Sequence, residues 1–589
     1  MLLTGPALDR ETAPAKPWWR EAEAALLVVL VVAAYFTRAN VLPIRGEEPT
    51  RAQMAFEMVQ QGDWLVPRQQ GEPFLIRPPL QHWVIAASCL TFGNWGSWAV
   101  RFPSLLATLL TTLLIYGYSR TFLSRLGALA AGAAFATIPE MFQMGRQAET
   151  EALFILLVSA SVLLWHWGLV RRWPAALTYS IGYGLMALAM LTKGIQAPIY
   201  FIGSVGAYLV LAGQWRRLFS GAHLLGVVVG ASILLAWTIP YAQVVGWSNV
   251  RLVWMGDPAV TYNGGISSWN LAEAATHLGT YPAVIAGGAL PWSLLLLFFL
   301  SRDLRLSVRA AGPQVLFVSL CLAVAFPTCW IPPGGLPRYF APLYPCLSVL
   351  FGLVVQHASA VEAAPRVRAV WRQFLVSMAC VMALAAVAVI GISAIGSHYT
   401  ALEPLADPPF VALAYALAFV GLAWLIFRAR NTGDPSRVRT AVLALAGFLV
   451  ITFIGAITDV RLRRSENAAE AMRRLKEKLP PDQQLVSING HTDGLFAYYY
   501  GLPIIAPRPW PTTANGAGED LTYFCFVWSG GTRPDLPFAW EEVGIVSLDR
   551  NRHPTPQRAV IVGRRLPATP RPRDAAVPAP TASGAGGAL

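Results

Sequence analysis

Residues 372–395 read RQFLVSMACVMALAAVAVIGISAI, a run in which Arg372 alone is charged. A helix of this length crosses the roughly 30 Å of hydrocarbon in a lipid bilayer. Comparable runs recur up to about residue 460, and of all 589 residues 55% are hydrophobic while only 13% are charged. This balance excludes an ordinary soluble protein and predicts an all-α polytopic membrane domain.

Thirteen runs are long and apolar enough to span the membrane. They lie at residues 24–43, 102–119, 126–143, 151–170, 175–192, 194–213, 220–242, 281–300, 312–330, 338–357, 372–395, 408–427 and 440–458. One further apolar segment, LQHWVIAASCLTFG at residues 80–93, is too short to cross. We expect this segment to form an interfacial or re-entrant juxtamembrane helix.

The placement of residues 80–93 decides the predicted topology. If this segment does not cross, all the arginine-rich loops between later spans share one face, which the positive-inside rule makes cytoplasmic. The N-terminal residues 1–23 are then cytoplasmic. The outer loop 44–101 and everything after about residue 460 lie on the opposite face.

The composition changes after the last span. Residues 24–460 form the predicted transmembrane domain, whereas residues 461–565 alternate strand-like and helix-like runs, which is typical of a small soluble α/β domain. The last segment, 566–589, is rich in Pro, Ala and Gly, and we expect it to be disordered.

Charge and cysteine content argue against two other classes of protein. The net charge of +13 could indicate nucleic-acid binding, but most Lys and Arg fall in short loops between spans, so no nucleic-acid partner is expected. The six cysteines form no CxxC pair, and the eight histidines form no HxxxH or HEXXH motif. We therefore predict neither a disulfide framework nor a metal cluster.

Four acidic residues gather on the predicted outer face. Glu47 and Glu48 open an amphipathic helix after the first span, where a carboxylate is also an ordinary helix cap, so residue type alone leaves both roles open. Glu151 enters an otherwise apolar span, a position that favours function. Glu149 and Glu151 are two residues apart, so only one of them is expected to point toward a given site.

Basic residues fall at helix ends on the same face, namely Arg77, Lys193 and Arg338, with Arg146 close to the acids. One basic residue at an interface is usually a snorkelling anchor, and Arg146 has the simpler role of a salt-bridge partner open to it. Several cations that meet carboxylates can bind a phosphate while one carboxylate takes a proton. This combination predicts a reaction on a lipid-linked phosphate sugar, whose tail lies in the lipid bilayer.

The outer loop resembles the acidic-pair segment of the GT-C membrane glycosyltransferases, in particular the ArnT-like and protein O-mannosyltransferase-like group. In that group an Asp-Glu pair is followed by a helix, by Gly-Asp-Trp, and by a basic residue before Pro-Pro-Leu. Here the corresponding residues are Glu47 and Glu48, Gly62 to Trp64 (with Asp63), and Arg77 to Leu80. The segments AVRFPSLLATLL, GRQAETEALF, LTKG, ALPW and LPRYFAPLYP follow in the family's order.

The resemblance implies a GT-C fold in a bacterial inner membrane, with the C-terminal domain in the periplasm. It implies an inverting transfer from a polyprenyl-phosphate sugar to a glycolipid of the lipid A type, a glycan or a protein. Glu47 takes the role of the base, supported by Glu48, and Arg77 contacts the lipid phosphate. Glu151 matches the family's third acid, with Glu149 as a close competitor, and Glu replaces the family's Asp at both 47 and 151.

Secondary candidates and alternatives complete these expectations. His82, in the predicted interfacial helix, is a weaker candidate for phosphate contact. No cofactor is expected to be required, and a divalent cation, if one takes part, would be held by Glu47 and Glu151. A lipid or solute transporter is the main alternative function, although transporters usually place polar groups near the bilayer midplane rather than on one face. The motifs specify neither the donor sugar nor the oligomeric state.

Overall fold

The computed structural model describes residues 17–254, 271–309, 312–332, 335–399, 402–431, 433–511, 521–553 and 555–567. The predicted disordered tail, 566–589, therefore lies almost wholly outside the described residues. Two compact units make up the chain, Met1–Ser465 and Glu466–Leu589. Each unit is described separately below.

Among the described residues of the first unit, the regular structure is helical apart from one short hairpin. Its α-helices are Ala22–Val31, Glu48–Gln61, Leu80–Phe92, Ser97–Ser119, Arg125–Ala136, Pro139–Met144, Glu151–Val170, Ala175–Lys193, Gln196–Leu211, Gly221–Val245, Leu271–Gly288, Arg302–Arg309, Gly312–Trp330, Tyr344–Ala358, Pro365–Ile395, Pro409–Arg428, Pro435–Val450 and Thr458–Arg464. Two π-helical segments lie at Val32–Phe36 and Ile451–Ile457. Segments of 3-10 helix lie at Trp18–Arg20, Trp215–Phe219, Trp292–Leu300, Pro337–Leu343, Gly396–His398 and Glu403–Leu405. Strands β1 (Arg68–Gln69) and β2 (Glu72–Pro73) pair antiparallel in the outer loop.

Within the described residues, nine helices are long and apolar enough to cross a membrane. A tenth span results if the two helices on either side of Pro291, which are bent by 118° at the break, count as one. The three remaining predicted spans fall on shorter apolar helices, Ala22–Phe36, Arg125–Ala136 and Gln196–Leu211. The predicted polytopic helical fold is thus confirmed, and the shorter helices are the ones that hydropathy alone overestimates in length.

Helix Leu80–Phe92 is the segment on which the predicted topology depends. Its 13 residues reach about 20 Å at 1.5 Å per residue, short of the hydrocarbon thickness. It packs between helices Glu48–Gln61 and Ser97–Ser119 and ends at Gly93, whose φ of 65° is the left-handed conformation that glycine adopts readily. Its length fits the prediction of a helix that does not cross.

The second unit contains a five-stranded mixed sheet, which confirms the predicted small α/β domain. Its strands are β3 (Leu485–Ile488), β4 (Ile504–Arg508), β5 (Tyr523–Trp528), β6 (Trp540–Ser547) and β7 (Ala559–Arg565), in the spatial order β4-β3-β5-β7-β6. Strand β3 pairs in parallel with β4 and β5, whereas β7 pairs antiparallel with β5 and β6. Helices Ala468–Lys476 and Gly494–Tyr500 complete the unit.

Both faces of this sheet are covered, because successive side chains of a strand point to opposite sides. Leu485, Cys525 and Val562 belong to the cluster that contains the two helices. Phe524 and Ile561, one residue away along their strands, belong to a second cluster rich in aromatic rings. Burial on both faces explains why these strands read as continuous apolar runs in the sequence.

Candidate active site

Glu48 is fully buried and forms a bidentate ion pair with Arg101, which is distant in the sequence. Arg101 Nε lies 2.8 Å from Glu48 Oε1, and Arg101 Nη2 lies 2.8 Å from Glu48 Oε2. The same carboxylate accepts the backbone N–H of Ala148 (2.8 Å) and of Arg45 (3.2 Å). One carboxylate thus joins the acidic-pair helix, the Ser97–Ser119 helix and the segment that precedes Glu151.

The remaining donors of Arg101 hold the chain between the first helix and Glu48. Its Nη1 donates to the carbonyls of Ala39 (2.6 Å) and Leu42 (2.9 Å), and its Nη2 donates to Pro43 (3.1 Å). Because Arg101 and Glu48 are both withdrawn from water and the guanidinium also holds three backbone carbonyls, the arrangement fixes where the acidic pair lies. We therefore describe Glu48 as a positioning residue, in keeping with the supporting role expected for it.

Glu47 is the most exposed of the four carboxylates predicted on the outer face (the others are Glu48, Glu149 and Glu151), with 43% of its side chain accessible. Its Oε2 accepts from Arg51 Nη2 at 2.5 Å, one helical turn further on. Burial alone would raise the pKa of Glu47, but the charge and hydrogen bond of Arg51, with the charge of Arg77, hold it below its usual value. Glu47 is consequently ionised and accessible to a reacting group.

Arg51 is itself almost fully buried, and its guanidinium lies over the ring of Phe74, 5.7 Å from the ring centroid. Two further donor atoms of this guanidinium, Nε and Nη1, have no hydrogen-bond partner among the described residues. Buried donors of this kind need acceptors. Arg51 therefore brings unused donors to the side of the exposed carboxylate.

Glu149 connects Glu47 to the cations. Its Oε1 accepts the backbone N–H of Glu47 (3.3 Å), and its Oε2 lies 3.9 Å from Arg338 Nη1. Burial, together with the negative charges of Glu151 and Glu47, raises the pKa of Glu149 to about 7. The close approach depends on Gly46, since a Cβ there would lie 2.8 Å from Glu149 Oε1.

Glu151 is the centre of a buried ion-pair network at the start of its helix. Lys193 Nζ lies 3.0 Å from Glu151 Oε1, and Arg338 Nε lies 3.9 Å from the same oxygen. The ammonium of Lys193 also faces the rings of Phe154 and Tyr339. Arg338 retains 32% exposure, so it is the member of this network that another molecule can reach.

The structure thus brings Glu47, Glu149, Glu151, Lys193 and Arg338 into one connected group. Contrary to the expectation for residues two apart, both Glu149 and Glu151 face this group, because Glu149 precedes the helix and does not follow its periodicity. Arg77 is buried near Glu47 and contributes to its low pKa.

His82 lies beside these residues but is fully enclosed. Burial, and then the charge of Arg51, hold the pKa of His82 well below its usual value, although a weak contact with the Pro79 carbonyl opposes this. A neutral, enclosed imidazole is not a cation for phosphate binding.

Two predicted site residues are used in local structure. Asp63 accepts the backbone N–H of Leu65 and Val66, both at 3.1 Å, and pairs with Arg68 at 3.2 Å, which is the geometry of a side chain that organises a turn. Arg146 donates to the carbonyls that end the first helix, Ala34 at 2.7 Å, Arg38 at 2.9 Å and Thr37 at 3.0 Å. No ion pair joins Arg146 to the acids within the described part of the chain, as a simple salt-bridge role would require.

Sequence reasoning missed Arg101 and Arg51. Arg101 begins an apolar span, and a charged residue there is costly unless it is paired, so its position alone was a usable signal. Arg51 follows Glu47 by four residues, which is the spacing of an ion pair on one helical face. In the described ranges, no three His, Cys, Asp or Glu side chains are grouped so that they could hold a metal ion.

Comparison with known proteins gives a consistent family resemblance. The model of the dolichyl-phosphate-mannose-protein mannosyltransferase family matches residues 76–240. An undecaprenyl phosphate-alpha-4-amino-4-deoxy-L-arabinose arabinosyl transferase of Edwardsiella ictaluri is 28% identical over 337 residues, which are 55% of this chain and 59% of that protein. A transferase of the same name from Yersinia enterocolitica is 25% identical and covers 71% of this chain and 76% of its own length.

The match to the Edwardsiella protein, and to a similar one from Proteus mirabilis, spans less than two thirds of the length of either relative. Among solved structures, ArnT from Cupriavidus metallidurans bound to undecaprenyl phosphate has a TM-score of 0.68 at 19% identity, with 92% of this chain and 98% of that chain covered. This likeness shows a common fold. The resemblance inferred from the outer-loop motifs is confirmed.

Proposed function

We propose that this chain, which has the GT-C fold of ArnT and resembles the ArnT-like and mannosyltransferase-like transferases, is an integral-membrane glycosyltransferase. The sugar passes from a polyprenyl-phosphate donor to an acceptor hydroxyl or phosphate on a glycolipid of the lipid A type, a glycan or a protein. The observation that carries the proposal is the group of three carboxylates and two cations at helix ends, in which Glu47 and Arg338 are exposed.

The cations are suited to the phosphate of the donor. Arg338 is accessible and is held at 3.9 Å from both Glu149 and Glu151, a distance that leaves its N–H groups able to turn toward another anion. Lys193 is buried against Glu151 and supplies fixed positive charge behind Arg338. Arg51 and Arg77 add buried positive charge next to Glu47, so a phosphate bound at Arg338 lies beside an ionised carboxylate.

The carboxylates Glu47 and Glu48 have different roles in the proposed reaction. Glu47 accepts the proton of an acceptor hydroxyl, because it is the one that a reacting group reaches most easily. Attack on the side of the sugar opposite the departing phosphate inverts the anomeric carbon in one displacement, and the polyprenyl phosphate leaves with its charge compensated by the cations. Glu48 holds the helix that carries Glu47 and takes no part in proton transfer, since both of its oxygens are bound.

The membrane arrangement belongs to the same proposal. The protein lies in a bacterial inner membrane, the arginine-rich loops face the cytoplasm, and the carboxylate group faces the periplasm. In this arrangement the lipid tail of the donor lies in the bilayer beside the candidate spans, while its phosphate meets Arg338 at a helix end.

The test is transfer by the purified full-length protein in lipid nanodiscs. Labelled polyprenyl-phosphate sugars are incubated with candidate acceptors, and labelled product and released polyprenyl phosphate are measured for the wild type and for Glu47→Gln. We expect transfer by the wild type and a loss of 10²-fold or more in the variant, which is the usual range for removal of a general base. Equal transfer by both proteins contradicts the role of Glu47, while lipid movement across vesicles without sugar transfer would indicate a transporter.

A further inference from the structure

A cavity lies at the arginine-rich end of the first unit. Its volume is about 480 Å³, and it is bordered by the end of helix Tyr344–Ala358, the start of helix Pro365–Ile395 and, after helix Pro409–Arg428, by Arg430, Asn431 and Gly433. Helix Tyr344–Ala358 separates it from the Arg338 segment, and its 15 residues rise about 22 Å. The cavity is therefore distinct from the candidate active site.

Three arginines line this cavity, Arg368, Arg372 and Arg430. Arg368 and Arg372 are four residues apart, so they lie on one face of their helix. None of the described lining residues is acidic. The acids nearest along the chain are Asp434 and Glu362. Asp434 lies 3.8 Å from Arg437 and caps the next helix, and Glu362 is exposed to solvent.

A buried donor also borders the cavity. Trp371, between the two arginines in sequence, is only 4% exposed, and its indole Nε1 has no hydrogen-bond partner in the described part of the chain. Buried Trp N–H groups normally find an acceptor. The start of helix Pro365–Ile395 adds the partial positive charge of a helix N-terminus to the same wall. Among the described residues, three arginines and a tryptophan with an unpaired N–H therefore line the same cavity.

We propose that this cavity binds the phosphodiester headgroup of an anionic phospholipid. The lipid source, as opposed to a soluble phosphate, follows from what surrounds the cavity. Helix Pro365–Ile395 is a candidate membrane span, and its side chains Val387 and Ile390, on the same side of the helix as Arg372, are exposed although they are apolar. An acyl chain can lie along this face while its headgroup meets the arginines, as basic pockets between spans on the cytoplasmic side do with anionic lipids.

The shape of the pocket depends on a glycine. A Cβ at Gly433 would lie 2.5 Å from Val361 Cγ2, so Gly433 approaches the loop at 359–361 as closely as it does only without a side chain there. Gly433 and Val361 both line the cavity. The site is therefore formed by packing of the fold and not by the arginines alone.

The proposal is tested by native mass spectrometry of the delipidated full-length protein, titrated with phosphatidylglycerol or with phosphatidylcholine of the same acyl chains. We expect phosphatidylglycerol to bind at least tenfold more tightly than phosphatidylcholine. The double variant Arg368→Gln and Arg372→Gln should lose most of this preference. The matched control, Arg366→Gln with Arg437→Gln, removes two exposed charges outside the cavity and should keep it.

Trp371→Phe provides an independent test, because it keeps an aromatic ring and removes only the indole N–H. We expect phosphatidylglycerol to bind about threefold more weakly to this variant, with an unchanged thermal transition. Equal binding of the two lipids to the wild type, or an equal loss in the control variant, would overturn the proposal. Displacement of phosphatidylglycerol by micromolar glycerol 3-phosphate would assign the cavity to a soluble phosphate and overturn the lipid source.

Discussion

Arg101 and Glu48 meet through two hydrogen bonds of 2.8 Å, although 53 residues separate them and both side chains are withdrawn from water. The pair fastens the acidic-pair helix to the first long span. Its partners on the backbone are the segment that leaves the first helix and the segment that leads to Glu151. The position of Glu47 relative to Glu149 and Glu151 therefore depends on one buried ion pair.

Removing one member of this pair should destabilise the protein. Arg101→Leu leaves the Glu48 carboxylate buried without its counter-charge, so we expect a loss of about 3–5 kcal/mol in the free energy of unfolding. The measurement is thermal or denaturant unfolding in detergent. The double variant Arg101→Leu with Glu48→Leu should recover a large part of the loss, because no uncompensated charge remains.

An exposed arginine serves as the control for this prediction. Arg125 lies 3.5 Å from Glu21 and its side chain is 56% exposed, so Arg125→Leu should change the stability by no more than about 1 kcal/mol. A loss in Arg125→Leu as large as that in Arg101→Leu would show that burial of the pair is not what matters.

Glu149 should set the pH dependence of transfer. Burial and the neighbouring carboxylates raise its pKa to about 7, so Glu149 carries a proton below that pH and is ionised above it. Its negative charge beside Glu47 makes Glu47 a stronger base, and we expect kcat/KM to rise as the pH increases through about 7. Glu149→Gln should remove this step and fix the rate near the low-pH level.

The pH profile of the donor reaction, measured between pH 5.5 and 8.5, checks this expectation. Glu72, an exposed acid in strand β2, provides a matched control, and Glu72→Gln should retain the step. If the step persists in Glu149→Gln, the titrating group is another residue.

The sequence predicted the membrane fold well because span length and hydropathy are local properties. All thirteen predicted spans begin or end within a few residues of a helix, but the runs 126–143 and 281–300 are each divided into two helices, near Pro139 and Pro291. Both prolines were visible in the sequence, but apolar content outweighed them in the prediction.

The sequence indicated several of the residues that the structure brings together, but not the contacts that position them. The motifs indicated Glu47, Glu151 and Arg338, since each is an unusual residue at a span end. The pairing of Glu48 with Arg101 depends on contacts between distant segments, which no single segment encodes. The three hydrogen bonds from Arg146 to backbone carbonyls could not be predicted for the same reason. A helix end leaves carbonyls that need donors, and only the folded chain shows which donor reaches them.

Lys193 and Arg338 should respond differently to substitution although both contact Glu151. Lys193→Met leaves a buried carboxylate without its closest counter-charge, so stability should fall by about 3–5 kcal/mol. Arg338→Gln changes a more exposed side chain and should leave the fold intact while the KM for the polyprenyl-phosphate donor rises about tenfold, roughly 1.4 kcal/mol.

Unfolding curves and donor-dependent kinetics separate these effects. Arg338→Lys keeps the charge and loses the planar fork that binds a phosphate through two N–H groups, so its KM should lie between those of the wild type and Arg338→Gln. A fall in kcat with unchanged KM in Arg338→Gln would place this arginine at the transition state only.

Chelation should leave transfer unchanged. We propose that the charge of the departing phosphate is compensated by Lys193, Arg338 and Arg77, so that no divalent cation is required for the reaction. The measurement compares initial rates with and without an excess of EDTA. A loss that Mg²⁺ or Mn²⁺ restores would instead indicate a cation held by Glu47 and Glu151, whose carboxylate oxygens are the ligands that hard cations prefer.

The topology gives the last prediction, because the proposed chemistry needs Glu47 and the C-terminal unit on the periplasmic face. A phosphatase reporter, which is active only outside the cytoplasm, should be active when fused after residue 567 and inactive when inserted in the loop at 430. A fluorescent protein that folds only in the cytoplasm should give the opposite pattern. This expectation depends on helix Leu80–Phe92, whose 13 residues fall short of the hydrocarbon thickness, so that the arginine-rich loops are proposed to face the cytoplasm. An active phosphatase at 430 would mean that this helix crosses, and would place Glu149, Glu151 and Arg338 on the opposite side of the membrane from Glu47.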